Sequence, residues 1–260
     1  MTHIFYKYQG TGNDFIIFDN RDGALNNISN RQVKHLCDRR FGIGADGLML
    51  LSKKEGYHFE MIYYNADGNT SSMCGNGGRC LVKFASTMGI HAPTYKFIAS
   101  DGPHEAEIEN DGTVRLKMKD VNNVEEHLTY SVLNTGSPHY IKFVTDIHRI
   151  DVVNSGREIR NSKAFAEKGI NVNFLEPTGE DSIYVRTYER GVEDETYSCG
   201  TGVTAAALVS AHNHRGFNHI EVQTNGGNLS VEFTKKDDTH FENIWLCGPA
   251  VLTFKGEVEI

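Results

Sequence analysis

Two stretches of the sequence, CGNGGRCLVKFASTMG at residues 74–89 and CGTGVTAAALVSAH at residues 199–212, decide the fold. Each begins with Cys-Gly-x-Gly and continues in a pattern typical of a helix. In the first stretch the apolar positions fall on one helix face: Leu81, Phe84, Ala85 and Met88. The second stretch consists almost wholly of Val, Thr, Ala and Leu, and a helix that is apolar on all sides is a buried one. The sequence therefore predicts a helix opened by Cys-Gly in each half of the chain.

β-Strands are predicted around these helices from apolar runs bounded by turn residues. The runs are residues 3–8, 14–19, 48–51, 57–64, 95–99, 139–144, 171–175 and 182–188. Two hairpins are also predicted, one turning at residues 110–112 and one over residues 219–233 with its turn at 225–227. A further helix is expected after Ser29, which forms a capping box with Gln32, and it is expected to end at Gly42. A short helix is expected over residues 151–161.

The order of elements after Asp120 repeats the order before it, and such duplication predicts two similar lobes with a cleft between them. The predicted fold class is α/β (α+β), with two pseudo-symmetric lobes, each of mostly antiparallel strands wrapped around a central helix. The last run, residues 245–260, is expected to return to the first lobe. The N-terminal lobe is then residues 1–119 with 246–260 and carries Cys74. The C-terminal lobe is residues 120–245 and carries Cys199.

Composition excludes several classes of function. The chain has 260 residues and a formal net charge of −8, and an acidic chain without a block of Lys and Arg is not expected to bind nucleic acid or an anionic membrane. No apolar run reaches the length of a transmembrane helix, and the N-terminal residues lack the pattern of a secretory signal. The sequence therefore predicts a cytoplasmic protein whose five cysteines are thiols.

The two Cys-Gly helix starts are the strongest candidates for chemistry. The first backbone N–H groups of a helix have no partner within it, and the positive end of the helix dipole favours a thiolate and binds anions. Glycines let a ligand approach that backbone closely. Two such ends facing one another would hold a carboxylate between two cysteines, which suits removal of a proton from one face of a carbon and delivery to the other. The alternative is two buried structural cysteines.

Other motifs argue against a cofactor or a metal. Residues 42–47, GIGADG, match the dinucleotide pattern G-x-G-x-x-G, but a helix precedes them and a strand follows, which reverses the order of a nucleotide-binding fold. A glycine turn is the favoured interpretation. No Cys-x₂-Cys pair is present, so a zinc site is not expected.

Polar residues at strand ends form a second group of candidates. The sequence NADG at residues 65–68 precedes the first Cys motif, and Glu189-Arg190 precedes the second. The Glu-Arg pair could bind the ammonium and carboxylate of an amino acid, because Arg donates two parallel hydrogen bonds to a carboxylate. The alternatives are turn formation for the first segment and an exposed ion pair for the second. His139 is either a site residue or the start of a strand.

At these residues the chain resembles the diaminopimelate epimerases. The matching segments run nearly end to end: GTGNDFIIFDN, RRFGIGADGL, YNADGNTSSMCGNGGRC, GSPHY, INVNF, VRTYERGVEDETYSCGTG, TNGGNLSVEF and CGPAVLTFKGEV. The resemblance implies a cofactor-independent isomerase that converts LL-diaminopimelate into the meso isomer, a step in the synthesis of lysine and cell-wall precursors. The related proline racemases typically carry His where this chain has Asn76. A racemase of proline or hydroxyproline is the alternative.

The resemblance also implies roles for individual residues. Cys74 and Cys199 would be the acid and base, one as thiolate and one as thiol. Substrate would be held by the side chains of Asn13, Asn65, Asn171, Glu189 and Arg190 and by the backbone of Gly75, Asn76, Gly200 and Thr201, with Ser137 and His139 as further candidates. The expected partners are a small-molecule substrate and, as one option, a second copy in a homodimer.

Four departures from the family pattern concern the distal end of the substrate, and one of them is the absence of the usual acidic residue near Thr70. Ser137 stands where many members have Asn, and Gly47 stands where Gln is common. The segment between Arg190 and Cys199 is one residue longer than usual. A non-catalytic amino-acid binding protein and a redox thiol protein remain alternatives from other classes, although two reactive thiols disfavour the first and the absence of Cys-x₂-Cys disfavours the second.

Overall fold

The computed structural model describes residues 1–211 and 215–260. The chain divides into two compact units. Unit 1 comprises Met1–Leu116 and Gly248–Ile260, and unit 2 comprises Lys117–Cys247. The described residues form a mixed β-structure with few helices. None of the helices they form has the length and apolar character needed to cross a membrane.

Unit 1 contains two helices and eight strands within its described residues. The helices are α1 (Asn30–Cys37) and α2 (Gly75–Thr87). The strands are β1 (Thr2–Gly10), β2 (Asn13–Asp19), β3 (Gly47–Ser52), β4 (Phe59–Asn65), β5 (Tyr95–Ala99), β6 (Gly102–Ile108), β7 (Val114–Lys117), which ends at the boundary with unit 2, and β17 (Val251–Glu259).

Unit 2 contains two α-helices, one short 3₁₀ turn and nine strands within its described residues. The helices are α3 (Val152–Arg160) and α4 (Gly200–Ser210), and the 3₁₀ turn is Ile147–Arg149. The strands are β8 (Val124–Glu126), β9 (Ser131–Asn134), β10 (Pro138–Phe143), β11 (Asn171–Gly179), β12 (Ser182–Glu189), β13 (Asp194–Thr196), β14 (Gly216–Thr224), β15 (Gly227–Lys235) and β16 (Phe241–Gly248).

Strand pairing follows the same order in the two units. In unit 1 the order is β17-β1-β2-β3-β4-β5-β6-β7, in which the pairs β2–β3 and β4–β5 are parallel and the rest antiparallel. In unit 2 it is β8-β9-β10-β11-β12-β14-β15-β16, with parallel pairs at the corresponding places, β10–β11 and β12–β14. The short β13 adds to β12 in unit 2. The duplication read from the sequence is therefore present in the topology.

The two Cys-Gly helices are buried, as was predicted for the second from its apolar sequence; the first was predicted only to have one apolar face. In α2 ten residues are buried, and the helix packs against β1, β2, β3, β4 and β6. In α4 nine residues are buried, and the helix packs against strands β9 to β12, β14 and β15. Burial of a helix on all sides explains why α4 carries only small and apolar side chains apart from its threonines and serine. The final residue of the predicted α4 segment, His212, lies outside the described residues.

The first predicted helix begins as expected but ends earlier. Ser29 caps α1 and exchanges hydrogen bonds with Gln32 in a capping box. The helix ends at Cys37 instead of continuing through Arg40 to Gly42, because Asp38 is extended and its carboxylate accepts from the backbone N–H groups of residues 40 and 41. Short polar side chains that bond to nearby backbone in this way compete with helix continuation.

Several strands differ from the sequence prediction or were missed by it. The predicted run 245–260 is two strands: β16 belongs largely to unit 2, and only β17 pairs with β1. The strands β8, β9 and β13 have three or four residues each, too few for an alternating pattern to be recognised. The fourth predicted strand begins at Phe59 and not at residue 57.

Candidate active site

In unit 1, Cys74 lies immediately before the first turn of α2. Its backbone is extended, and its carbonyl oxygen accepts the first helical hydrogen bond from Gly78 N–H at 2.7 Å. Its side chain does not cap the helix. The backbone N–H groups of Gly75 and Asn76 are among the first four of the helix, which no carbonyl of the helix can satisfy. The predicted thiol at a helix N-terminus is therefore confirmed.

Asn13 is the side chain that meets Cys74. The Cys74 Sγ lies 3.6 Å from Asn13 Oδ1, and Asn76 Nδ2 lies 3.5 Å from the same oxygen. Asn13 Nδ2 donates to Asp46 Oδ2 at 2.6 Å, and a carboxylate can only accept. This contact fixes the orientation of the amide, so an oxygen faces the sulfur and the Cys74 thiol is the donor.

A charged network lies behind Asn13. Arg39 donates to Asp46 at 2.7 Å and to both oxygens of Asp14 at 2.9 and 2.7 Å. Lys7 pairs with Asp14 at 2.8 Å. Burial opposes ionisation of Asp14, but hydrogen bonds from Arg39 and Lys7 outweigh it and lower the pKa of Asp14 to about 2. The sequence interpretation missed this network, although its acidic members lie in the NDF and GADG segments that carry the resemblance.

Arg79, also missed, is fully buried one turn into α2. Its guanidinium donates to Asn76 Oδ1 at 3.0 Å, to Thr11 Oγ1 at 3.3 Å and to the Gly75 carbonyl at 3.4 Å. The residue therefore fixes the Asn76 side chain and adds a positive charge beneath the first turn of the helix. An arginine in a glycine-rich, buried helix start is the signal that could have revealed it.

The ring of Tyr63 explains why position 47 is a glycine. A Cβ at Gly47 would lie 2.5 Å from the ring of Tyr63, which a real side chain cannot do. Tyr63 thus occupies the space that a larger residue at position 47 would need. Asn65 pairs with Gly47 across β3 and β4 and lies at the end of its strand.

In unit 2, Cys199 lies before the first turn of α4 in the same way. Its carbonyl accepts from Val203 N–H at 2.8 Å, and its side chain does not cap the helix. The Sγ lies 3.5 Å from Thr201 Oγ1. The residue is 8% exposed, whereas Cys74 is half-buried. Both predicted Cys-Gly motifs therefore place a thiol next to the first backbone N–H groups of a helix.

His139 reaches the Cys199 helix through Thr201. Its Nε2 lies 2.9 Å from Thr201 Oγ1, and its Nδ1 lies 3.1 Å from Asn173 Nδ2. Burial, with a smaller contribution from the positive charge of Arg190, lowers the pKa of His139 to about 3. The imidazole is therefore neutral at pH 7. His139 is the second residue of β10 and contacts Thr201 at the start of the Cys199 helix.

A second polar cluster in unit 2 contains the residues assigned to the distal end of the substrate. Asn171 Nδ2 donates to Ser137 Oγ at 2.9 Å, and Asn171 Oδ1 accepts from Arg190 N–H at 2.9 Å. The Arg190 guanidinium, which is exposed, lies 3.4 Å from Ser137 Oγ. Glu189 accepts from Thr196 Oγ1 at 3.0 Å, and Thr196 belongs to β13 in the lengthened segment. The short Ser137 side chain thus contacts both Asn171 and Arg190.

The predicted site residues therefore form two groups, one in each unit. Unit 1 brings together Asn13, Cys74 and Asn76. Unit 2 brings together His139, Cys199 and Thr201 in one cluster and Ser137, Asn171 and Arg190 in another. Thiols beside helix N-termini, flanked by polar side chains of fixed orientation, can exchange protons with a bound anion.

Comparison with known proteins places the chain in a family. The family model described as "Diaminopimelate epimerase" matches residues 5–124 and 131–253. The chain belongs to the diaminopimelate epimerase family. A relative from Flavobacterium psychrophilum named diaminopimelate epimerase is 48% identical over 96% of this chain and 98% of its own length. Another, from Chlorobaculum tepidum, is 44% identical over 96% of this chain and 99% of its own.

Solved structures of lower identity share the fold of this family member. A Bacillus anthracis phenazine biosynthesis protein of the PhzF family has a TM-score of 0.72 at 16% identity, with both chains covered completely. A hydroxyproline epimerase from Agrobacterium vitis has a TM-score of 0.69 at 12% identity, covering 99% of this chain and 92% of its own. These likenesses concern the fold alone.

Proposed function

We propose that this chain converts LL-diaminopimelate into meso-diaminopimelate by inverting one α-carbon, and that it is an isomerase acting in the synthesis of lysine and of cell-wall precursors. The proposal is supported by relatives named for this activity, which match over nearly the whole of both chains. It is also supported by the two Cys-Gly helix starts, each with its thiol beside the first N–H groups of a buried helix.

The proposed architecture assigns the two units to two lobes. The N-terminal lobe, residues 1–119 with 246–260, would carry Cys74, and the C-terminal lobe, residues 120–245, would carry Cys199. Each lobe would wrap its strands around α2 or α4. The matching order of strand pairing in the two units supports the pseudo-symmetry.

The proposed mechanism uses the two cysteines on opposite faces of the α-carbon. One thiolate removes the α-proton, and the other thiol returns a proton to the opposite face. No pyridoxal group spreads the charge, so the growing negative charge on the carboxylate must be stabilised by the protein. The backbone N–H groups of residues 75, 76, 200 and 201 would do this, each contributing roughly 3 kcal/mol by analogy with an oxyanion hole. Exclusion of water would strengthen these dipoles.

The non-reacting end of diaminopimelate would be read by polar side chains. Arg190 would bind the distal carboxylate, Glu189 would accept from the distal ammonium, and the amides of Asn65 and Asn171 would complete the contacts. Ser137 supports this assignment because its hydroxyl contacts both Asn171 and Arg190. A substrate without a distal amino-acid group, such as proline, would leave these groups without partners, which disfavours the proline or hydroxyproline alternative.

The test compares α-proton exchange from solvent deuterium in diaminopimelate, lysine and proline without added cofactor. Diaminopimelate is expected to exchange, while lysine, which lacks the distal carboxylate, is expected to be a very poor substrate. Arg190→Met is expected to lower kcat/KM for diaminopimelate by about a hundredfold, equivalent to about 2.7 kcal/mol. Arg149→Met is the matched control, because Arg149 is an exposed arginine of the same unit outside the site.

Each alternative gives a distinct result in this test. Exchange into proline but not diaminopimelate would establish the proline-racemase alternative. Binding of diaminopimelate without exchange would indicate a binding protein. Equal exchange of lysine and diaminopimelate, or an unimpaired Arg190→Met variant, would show that Arg190 does not read the distal end.

We also propose that the chain forms a homodimer in the cytoplasm. The apolar side chains of Leu252 and Phe254 on β17, which pairs with β1, are each more than two-fifths exposed, and exposed apolar side chains on a sheet edge are typical of an interaction surface. Analytical ultracentrifugation is expected to show a dimer and Phe254→Lys a shift toward monomer. A reducing compartment is required because the proposed chemistry needs both thiols reduced.

A further inference from the structure

Behind Cys199, a chain of hydrogen-bonded side chains continues into the core of unit 2, and the proposed mechanism does not use its inner members. From the inside outward it consists of Thr187, Asn173, His139 and Thr201. Asn173 and His139 are fully buried, and Thr187 is 3% exposed. Buried polar groups are retained only where their hydrogen bonds are satisfied, so the direction of each bond can be worked out.

The orientation of the Asn173 amide is fixed by a backbone carbonyl. Asn173 Nδ2 lies 3.1 Å from the Tyr140 carbonyl oxygen, which can only accept, so the NH₂ group must face it. The second hydrogen of this NH₂ points to His139 Nδ1 at 3.1 Å. The Asn173 oxygen accepts from Thr187 Oγ1 at 2.9 Å. All three bonds agree on one orientation, and the flipped amide would place oxygen against oxygen.

The position of the proton on His139 follows from this orientation. Its Nδ1 faces a donor and therefore carries a lone pair, so the neutral ring holds its proton on Nε2. That N–H donates to Thr201 Oγ1 at 2.9 Å. Burial and the charge of Arg190, which keep the ring neutral, support the same protonation state.

The hydrogen bond from His139 also determines where the Thr201 hydroxyl hydrogen points. Its oxygen accepts from His139, so its own hydrogen is left for Cys199 Sγ at 3.5 Å. We propose that Asn173 is a positioning residue that fixes the tautomer of His139 and so aims the Thr201 hydroxyl hydrogen at the Cys199 sulfur, where it stabilises the thiolate. The catalytic value of this arrangement rests on the proposed function, but the arrangement itself does not.

The second glycine of the Cys-Gly-Thr-Gly motif fits this interpretation. A Cβ at Gly202 would lie 2.3 Å from Asn173 Oδ1, so the first turn of α4 can approach the Asn173 amide only where the residue is glycine. The Thr201 carbonyl is also held, by Thr135 Oγ1 at 2.8 Å. The helix start is therefore docked on this network through backbone and side chain together.

The first test locates the proton on His139 by ¹⁵N NMR of protein labelled at its twelve histidines, with His139→Gln to assign the signal. A bare Nδ1 and a protonated Nε2 are expected. Asn173→Asp is expected to move a proton onto Nδ1, because a carboxylate can only accept. A protonated Nδ1 in the unsubstituted protein would overturn the inference.

The second test measures alkylation of Cys199 by iodoacetamide at one pH, followed by peptide mass spectrometry, with Cys74 in the same digest as reference. Thr201→Val and Asn173→Leu are each expected to slow Cys199 alkylation about tenfold, as expected for loss of a hydrogen bond to a charged group. Thr201→Ser, which keeps the hydroxyl, is expected to retain the rate. In the Thr201→Val background, Asn173→Leu is expected to have no further effect.

Non-additivity separates positioning from a merely structural role. An Asn173→Leu variant that slows alkylation equally with and without the Thr201 hydroxyl would contradict the inference. Neither measurement requires substrate. If the proton position and the coupling hold while diaminopimelate is not epimerised, the proposed function fails and the inference about Cys199 stands.

Discussion

Alanine at Gly202 and at Gly77 provides a matched comparison, because both residues stand three positions after the cysteine of a Cys-Gly motif. A Cβ at Gly202 would lie 2.3 Å from Asn173 Oδ1, and the Asn173 amide is held by three hydrogen bonds. A Cβ at Gly77 would lie 3.3 Å from Met49 Sδ, the end of a flexible side chain. The first contact cannot be relieved without moving a buried polar network, whereas the second can.

The expected magnitudes follow from these contacts. Replacing glycine by alanine within a helix stabilises it by up to about 1 kcal/mol. Overpacking costs about 1–3 kcal/mol, and disturbing buried hydrogen bonds adds about 1–3 kcal/mol. Gly202→Ala is therefore expected to lower the free energy of unfolding by about 2 kcal/mol, which corresponds to roughly 6 °C in Tm. Gly77→Ala is expected to remain within about 1 kcal/mol of the unsubstituted protein.

Thermal unfolding followed by circular dichroism, with unfolding in urea as a second measure, tests this difference. Cys199 alkylation should fall in Gly202→Ala, because the displaced Asn173 no longer fixes His139, and should be unchanged in Gly77→Ala. Equal shifts in the two variants would refute the reasoning, as would a stabilised Gly202→Ala. Either result would mean that Asn173 moves aside freely and does not anchor the helix start.

Three further predictions concern the thiols and the buried histidine. Cys74→Ala and Cys199→Ala are each expected to abolish epimerisation while circular dichroism shows an intact fold, and full turnover by either would exclude two-base catalysis. Oxidation in air is expected to inactivate the protein by forming a disulfide between Cys74 and Cys199, and dithiothreitol is expected to restore the activity. Activity that survives oxidation of both thiols would show that neither is catalytic. The lowered pKa of His139, about 3 against 6.5 unfolded, means that the unfolded state binds the proton first as pH falls below about 6.5, so about 2 kcal/mol of stability is expected to be lost by pH 5. Urea unfolding at pH 7 and pH 5 should show a smaller pH dependence in His139→Gln, and an unchanged dependence would contradict a neutral buried ring.

Much of the fold could be predicted because its signals are local. The capping box at Ser29, the hairpin turns and the period of the long strands each depend on residues that are close in sequence. The duplication could also be predicted, because the two helix starts share the uncommon pattern Cys-Gly-x-Gly. The end of α1 was missed because Asp38 competes for backbone N–H groups, which no periodicity reveals. The three-residue strands β8 and β13 are defined by their partners and not by their own sequence.

The two cysteines at helix starts could be predicted from the sequence, but the side chains that support them could not. Cysteines at helix starts, and a Glu-Arg pair at a strand end, are candidates that can be recognised from residue type and position alone. Asn173 and Asp46 do not, because an asparagine in a strand and an aspartate in a glycine turn have ordinary local explanations. Their roles depend on contacts with residues 34 and 33 positions away in the chain. Such contacts become visible only once the strands are paired.

The support of the two cysteines also shows how a duplicated fold can give two different half-sites. In unit 1, Asp46 takes the donor of Asn13 and leaves an oxygen facing Cys74, so the contact favours the thiol. In unit 2, the fixed His139 leaves a hydroxyl hydrogen facing Cys199, so the contact favours the thiolate. The proposed two-base mechanism requires one thiol as the acid and one thiolate as the base. Two identical half-sites would not determine which cysteine is the thiolate. Under the proposed mechanism, the different side chains behind the two helix starts would let one cysteine hold the proton while the other is the thiolate.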